Sequence, residues 1–161
     1  MNRRLRSSVT LAFLIIAPAA CQGPSPPIPT DFRITLDRGP CFGTCPVYSL
    51  TVFADGTAVY HGKHFVDVEG QQTASLTAQQ TKELVDAVVA ANFFALADSY
   101  TVPVTDLPSI TTTVIMEGRT KSVYHYGTGC GTDLDEAPPG LCNLEARLED
   151  IPKSNGWISE R

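Results

Sequence analysis

The ten residues Gly39 to Tyr48 read G-P-C-F-G-T-C-P-V-Y, and the fourteen that follow, Ser49 to Gly62, read S-L-T-V-F-A-D-G-T-A-V-Y-H-G. Pro40 and Pro46 fix φ and remove backbone donors, Gly43 permits a sharp bend, and Cys41 and Cys45 are near enough in sequence to close the segment covalently. Four residues of extended strand span about 13 Å, against roughly 4.4–6.8 Å between bridged α-carbons, so a Cys41–Cys45 bridge demands a turn. Past this corner, Val47 to Ala54 and Thr57 to Gly62 are rich in β-branched and aromatic residues and flank Asp55-Gly56, a strong hairpin signal. A two-residue loop pairs positions summing to 111: Val52 with Val59, Leu50 with His61, Tyr48 with Lys63. That register puts Tyr48, Leu50, Val52 and Val59 on one face, with Phe53 and Tyr60 on the other.

Upstream, Phe32, Ile34 and Leu36 alternate with Arg33, Thr35 and Asp37, the period-two pattern of a half-buried strand that runs into the corner. Residues 22–31 carry four prolines and read as a semi-rigid spacer of about 3.1 Å per residue, roughly 30 Å in all. Residues 1–20 have the anatomy of a targeting segment: Arg3, Arg4 and Arg6, an apolar run from Val9 to Ala17, then Ala19 and Ala20 before Cys21. The run is too short for a membrane span, which needs about 20 apolar residues. Its end resembles the lipobox of bacterial lipoproteins, which implies that Cys21 is lipidated after cleavage. Pro18 stands where that motif ordinarily has leucine, and ordinary signal cleavage is the alternative. By the same resemblance, Gln22 after Cys21 implies outer-membrane sorting, with the protein facing the periplasm.

Downstream, Lys63 to Val68 extends the sheet until Gly70-Gln71-Gln72 breaks it. Thr77 and Gln80 have capping-box spacing and open a helix over about 78–91, with Leu84, Val85, Val88, Val89 and Ala91 as its apolar stripe. Asn92 stops it, and Phe93, Phe94 and Leu96 supply core bulk. Residues 98–109 are stiffened by Pro103 and Pro108; such a loop is ordinarily a sheet-crossing connection, and a binding surface is the sharper reading. Ile110 to Met116 and Thr120 to Tyr126 form a second hairpin through Glu117-Gly118-Arg119. Leu141, Leu144, Leu148 and Ile151 recur at helical spacing and place a second helix at about 139–150. The sum is an α+β, two-layer domain over residues 32–161, with a mainly antiparallel sheet of about five strands, two hairpins and two helices.

Removing residues 1–20 from the 161 leaves a length that suits one domain, with nine Lys plus Arg against seventeen Asp plus Glu, a net charge of −8. An acidic chain without a basic cluster excludes a nucleic-acid partner and makes a lipid, not surface charge, the tie to a membrane. Besides Cys21 there are four cysteines, an even number in an exported chain, and two disulfides with three connectivities follow. Cys41–Cys45 and Cys130–Cys142 are favoured because each pair lies close together in a Gly- or Pro-rich segment.

No catalytic residue set assembles, and no cofactor is implied. Redox-active cysteine pairs have two intervening residues and lead into a helix, whereas Cys41 and Cys45 have three and lead into a strand. Cys41, Cys45, His61, His64 and His125 have ligand chemistry, but exported thiols pair and His61 falls beside Leu50, so no metal site is expected. Gly127 to Gly131 lacks the strand-to-helix context of a phosphate loop, and Asp133, Asp135 and Glu136 do not complete a calcium loop. Ser75, Ser99 and Ser109 lack a nucleophile elbow. Candidate binding residues are Phe42 and Tyr48 in the corner and Tyr100 and Asp106 in the 98–109 loop.

From Ile34 to Tyr126 the chain resembles an uncharacterised bacterial domain family of lipoproteins and other exported proteins, with the signature C-F-G-x-C-P-x-Y, an extended run, D-G-x-V-x-Y-x-G, then a helix and a second hairpin. The resemblance implies fold and compartment and transfers no catalytic residue. The expectation is a lipid-anchored envelope module that binds or supports a protein partner without catalysis. A thiol-redox or metal protein using the corner, or a periplasmic inhibitor, are the alternatives.

Overall fold

Tight turns and alternating burial build one seven-stranded sheet, seen in a computed structural model that describes residues 27–127 and 137–159. The strands are β1 Arg33–Arg38, β2 Val47–Phe53, β3 Thr57–His64, β4 Gly70–Ser75, β5 Ser99–Thr101, β6 Ser109–Met116 and β7 Arg119–Tyr126, in the order β4-β3-β2-β1-β6-β7-β5. All neighbours are antiparallel except β5, which runs parallel to β7. Helices α1 Ala78–Ala90 and α2 Pro139–Ser154 supply the second layer. The class is α+β as expected, but with seven strands in place of about five. The two additions lie at the sheet edges, where apolar alternation is not required: β4 is G-Q-Q-T-A-S, half of it exposed, and β5 has three residues within the 98–109 loop.

The first hairpin departs from the expected register by one residue. Val52 pairs with Ala58, Leu50 with Tyr60 and Tyr48 with Gly62. The loop holds three residues, not two: Gly56 N–H donates to Phe53 O at 3.0 Å, Asp55 Oδ1 accepts from Thr57 N at 2.8 Å, and Gly56 has φ +85°. That is a turn followed by a left-handed glycine, and the extra residue shifts the pairing. Because side chains alternate, the slip moves Tyr60 to the core and Val59 to the outer face. A bulge between Val47 and Tyr48 realigns the far end, where Val47 meets His64. The second hairpin forms where it is read but with a shorter loop: Met116 pairs with Arg119, so Arg119 opens β7 and the turn is Glu117-Gly118, both at positive φ as a two-residue turn requires.

The core lies between the sheet and the helices: Phe32, Ile34, Leu36, Tyr48, Leu50, Val52, Tyr60, Val114 and Val123 from the sheet side, Leu84, Val85, Val88, Leu141, Leu144 and Leu148 from the helices. The Thr77 capping box is present, with Gln80 N donating to Thr77 Oγ1 at 3.2 Å and Thr77 N to Gln80 Oε1 at 2.9 Å. Val89, read as part of the buried stripe, is 52% exposed. Asn92 ends the helix region in the left-handed conformation. α2 runs four residues further than read, to Ser154, carrying Pro152 in its last turn. No element of the described residues covers the opposite sheet face, which is rich in hydroxyls and carries two cross-strand pairs: Thr35 with Thr51 at 3.0 Å and Thr113 with Ser122 at 2.8 Å.

The strands define two ends. At one, Asp31 enters β1 and its carboxylate accepts the backbone N–H groups of Gly118 at 2.7 Å and Glu117 at 3.0 Å, bonds that hold its pKa below the usual value. The Ala54–Gly56 turn lies at the same end. The corner and the β5–β6 loop lie at the other, since Gly39 N donates to Ser109 O at 2.8 Å.

Gly56 is held at positive φ with Leu76 O only 2.5 Å from where a Cβ would stand; Gly118 has φ +70° and open space. Gly118→Ala should therefore cost about 1 kcal/mol, the price of the backbone conformation alone, and Gly56→Ala at least about 2 kcal/mol, measured by urea denaturation. Equal losses would contradict this account of the first turn.

Candidate functional site

The corner is built by β1 ending early. Gly39 passes so close to Ser109 that a Cβ would come within 2.3 Å of Ser109 Oγ, and the chain then turns through Pro40. Cys41 and Cys45 are bridged, with Cα atoms 5.8 Å apart. Gly43 N donates to Cys41 O at 3.0 Å across the bend. Phe42 N–H points outward from the bridge and donates to Asp106 O at 3.0 Å. Asp106 adopts φ +69°, and the next residue, Leu107, donates its N–H to the Tyr126 hydroxyl at 3.1 Å. The corner and the 102–108 loop are thus one composite tip, fastened to β6 and β7.

Two of the four candidate binding residues, Phe42 and Asp106, are brought together and exposed, Phe42 at 87%. Tyr100 is half-buried on the helix side, and its hydroxyl accepts Ala97 N–H at 3.1 Å. Tyr48 is fully buried and takes no part in the surface. It packs on Tyr60 at 5.5 Å between ring centroids, and Tyr60 stacks on Trp157 at 4.9 Å. Burial pushes both phenols up to about 12; Arg38 opposes this at Tyr48, while Asp67 adds to it at Tyr60. Both are neutral structural rings at neutral pH.

Between the corner and the end of α2 runs an open groove of about 480 Å³, walled by Phe42, the bridge, Pro46, Lys153 and Ile158. An ion pair between Arg38 and Glu149 crosses it and ties the end of β1 to α2. Its side chains remain about a fifth exposed, which limits its net contribution.

The residues with ligand chemistry are dispersed. His61 and His64 are exposed on β3, while His125 is buried on β7 under α2. Among the described residues, no three His, Cys, Asp or Glu side chains are placed to hold a metal ion. Cys130 lies outside the described residues, and with it the expected bridge to Cys142, as do Cys21, Asp133, Asp135 and Glu136.

One pair went unread in the sequence. His125 Nδ1 lies 2.7 Å from Glu145 Oε2, both side chains nearly inaccessible, and Thr112 Oγ1 reaches Glu145 Oε1 at 3.5 Å. The signal was present: Glu145 sits on the apolar stripe of α2 beside Leu141, Leu144 and Leu148, where a carboxylate requires a buried partner. The pair ties α2 to β7.

The architecture, a mainly antiparallel sheet with two helices on one face and a bridged loop at one end, defines an α+β domain with an exposed tip. The chain matches the family described as a domain of unknown function, DUF6438, over residues 32–152, and it belongs to that family. The match reaches beyond Tyr126 and takes in most of α2. No curated protein matches the chain.

Removing the carboxylate takes away the buried partner of His125 Nδ1. Glu145→Ala should cost about 3 kcal/mol in chemical denaturation, and Glu145→Gln, which keeps an acceptor for the ring, less than half of that. Equal and small losses would show that the pair does not hold α2 to the sheet.

Proposed function

We propose that the chain is a lipid-anchored module of the bacterial cell envelope, attached through Cys21 and probing the periplasm from the outer membrane, that binds a protein partner through the corner without catalysis. The anchor and compartment rest on the N-terminal segment and the proline-rich spacer. The observation that carries the binding role is Phe42: an aromatic side chain 87% exposed at the apex of a bridged turn, with its backbone pinned to Asp106. Folding alone favours burying such a ring, and exposed aromatics on pre-ordered loops are the anchors of protein interfaces. A pre-ordered apex loses little conformational entropy on docking.

A second reading, a periplasmic inhibitor whose apex occupies an enzyme's cleft, draws on the same rigidity. The thiol-redox or metal reading has less support, because Cys45 leads through Pro46 into β2 and not into a helix N-terminus that would stabilise a thiolate.

Palmitate labelling and intact-cell crosslinking test this together. The full chain should incorporate palmitate, Cys21→Ala should not and should leave the membrane fraction, and a photoreactive residue at position 42 should give a defined protein adduct. Continued membrane attachment of Cys21→Ala overturns the anchor, and absence of any protein adduct at position 42 overturns the binding role.

A further inference from the structure

We propose, resting on that reading, that the docking surface is larger than the corner: the whole sheet end opposite the tether is one protein-binding surface formed by three loops, and its partner presents an apolar site with a basic rim. The tether enters β1 at Asp31, which is fastened to the Glu117-Gly118 turn. β1 then runs the length of the sheet before the corner begins at Gly39. The corner therefore lies at the opposite end of β1 from the point where the chain enters the sheet.

Two further loops emerge at that end, since His64 at the close of β3 pairs with Val47, and Ser109 at the start of β6 lies beside Gly39. They are residues 65–69 between β3 and β4, and residues 102–108 between β5 and β6. Five large apolar side chains are exposed among the described residues, and three of them stand here, one per loop: Phe42, Phe65 at 47% and Val104 at 43%. The strand order sets these loops in a row along the sheet end, with neighbouring strands about 4.8 Å apart. The row is continuous with the corner through the Phe42–Asp106 bond.

Backbone conformation at this end adds a second, independent observation. Phe65 has φ +54° and Asp106 φ +69°, left-handed values that are rare for residues with a Cβ. In each case the strained residue lies on the exposed row: Phe65 turns an aromatic ring toward solvent from a conformation that glycine would adopt freely, and Asp106 supplies the carbonyl that holds Phe42. Strain of this kind concentrates at binding sites.

Charge selects the partner. Asp67, Glu69 and Asp106 are exposed on the loops, against Lys63 and His64 at the end of β3 and the half-buried Lys153 in the groove wall. An acidic rim is repelled by anionic phospholipid headgroups, which attract basic segments, so the apolar row is not suited to a bilayer. An apolar centre with an acidic rim is complementary to a protein site with the reverse rim, and that arrangement steers association.

The test places a photoreactive phenylalanine analogue at 42, 65 or 104 in the full chain in intact cells, with Val89 on α1, apolar and about as exposed as Phe65 and Val104, and Thr73 on β4 as controls. Positions 42, 65 and 104 should give an adduct to one and the same protein, and 89 and 73 should not. The purified adduct partner should bind wild-type chain about tenfold more tightly than Phe65→Ser, a variant checked to keep its melting temperature, and binding should weaken as salt is raised. An adduct at 42 with none at 65 and 104 overturns the three-loop surface and leaves the corner reading standing. No adduct at any position overturns both. Lipid adducts, equal capture from the controls, or unchanged affinity of Phe65→Ser overturns the surface.

Discussion

The Phe42 amide, 3.0 Å from the Asp106 carbonyl, is the contact on which the tip depends. Alone it is one exposed backbone hydrogen bond, with a net contribution of about 1 kcal/mol. It persists because both partners are restrained: the Cys41–Cys45 bridge and two prolines hold one side, and the bond from Leu107 to the Tyr126 hydroxyl holds the other. The bridge closes a very short loop, so its chain-entropy contribution falls near the low end, about 2 kcal/mol. Its effect is local geometry more than global stability.

Beneath the tip, β1 is the member that makes the arrangement rigid. It is central, paired with β2 on one side and β6 on the other over all six of its residues. Its inward residues Ile34 and Leu36 are fully buried, and Arg38 reaches Glu149 on α2. Since α2 is also tied to β7 through Glu145 and His125, the helix spans the sheet from one flank to its centre. Asp31 at one end and Gly39 at the other are the points at which this strand is fastened to the β6–β7 hairpin.

Local chemistry made much of this legible. The corner, the positions of both hairpins, the Thr77 capping box, the Asn92 stop and the apolar stripe of α2 are each specified by a few adjacent residues. What escaped depends on longer range. Asp55-Gly56 announces a hairpin but does not distinguish a two-residue loop from a three-residue one; that single residue decides whether Tyr60 or Val59 faces the core. β4 is an edge strand whose polar composition matches a loop, and only its pairing with β3 makes it a strand. Tyr48 is an attractive binding residue because it adjoins the corner, yet strand alternation turns it inward with Leu50 and Val52. Of the site, Phe42 and Asp106 were readable as candidates, but their contact joins positions 64 residues apart and no local pattern encodes it.

The proposed docking role rests on how the tip is held. A ring presented on a pinned turn is suited to docking, whereas the same ring on a loose loop is an aggregation liability. Amide hydrogen exchange at Phe42, compared between the native chain and Cys41→Ser with Cys45→Ser, tests this most directly. The account expects the Phe42 amide to be protected in the native chain and to lose that protection in the variant, while the β1 amides keep theirs. Equal exchange at Phe42 in both proteins would contradict it.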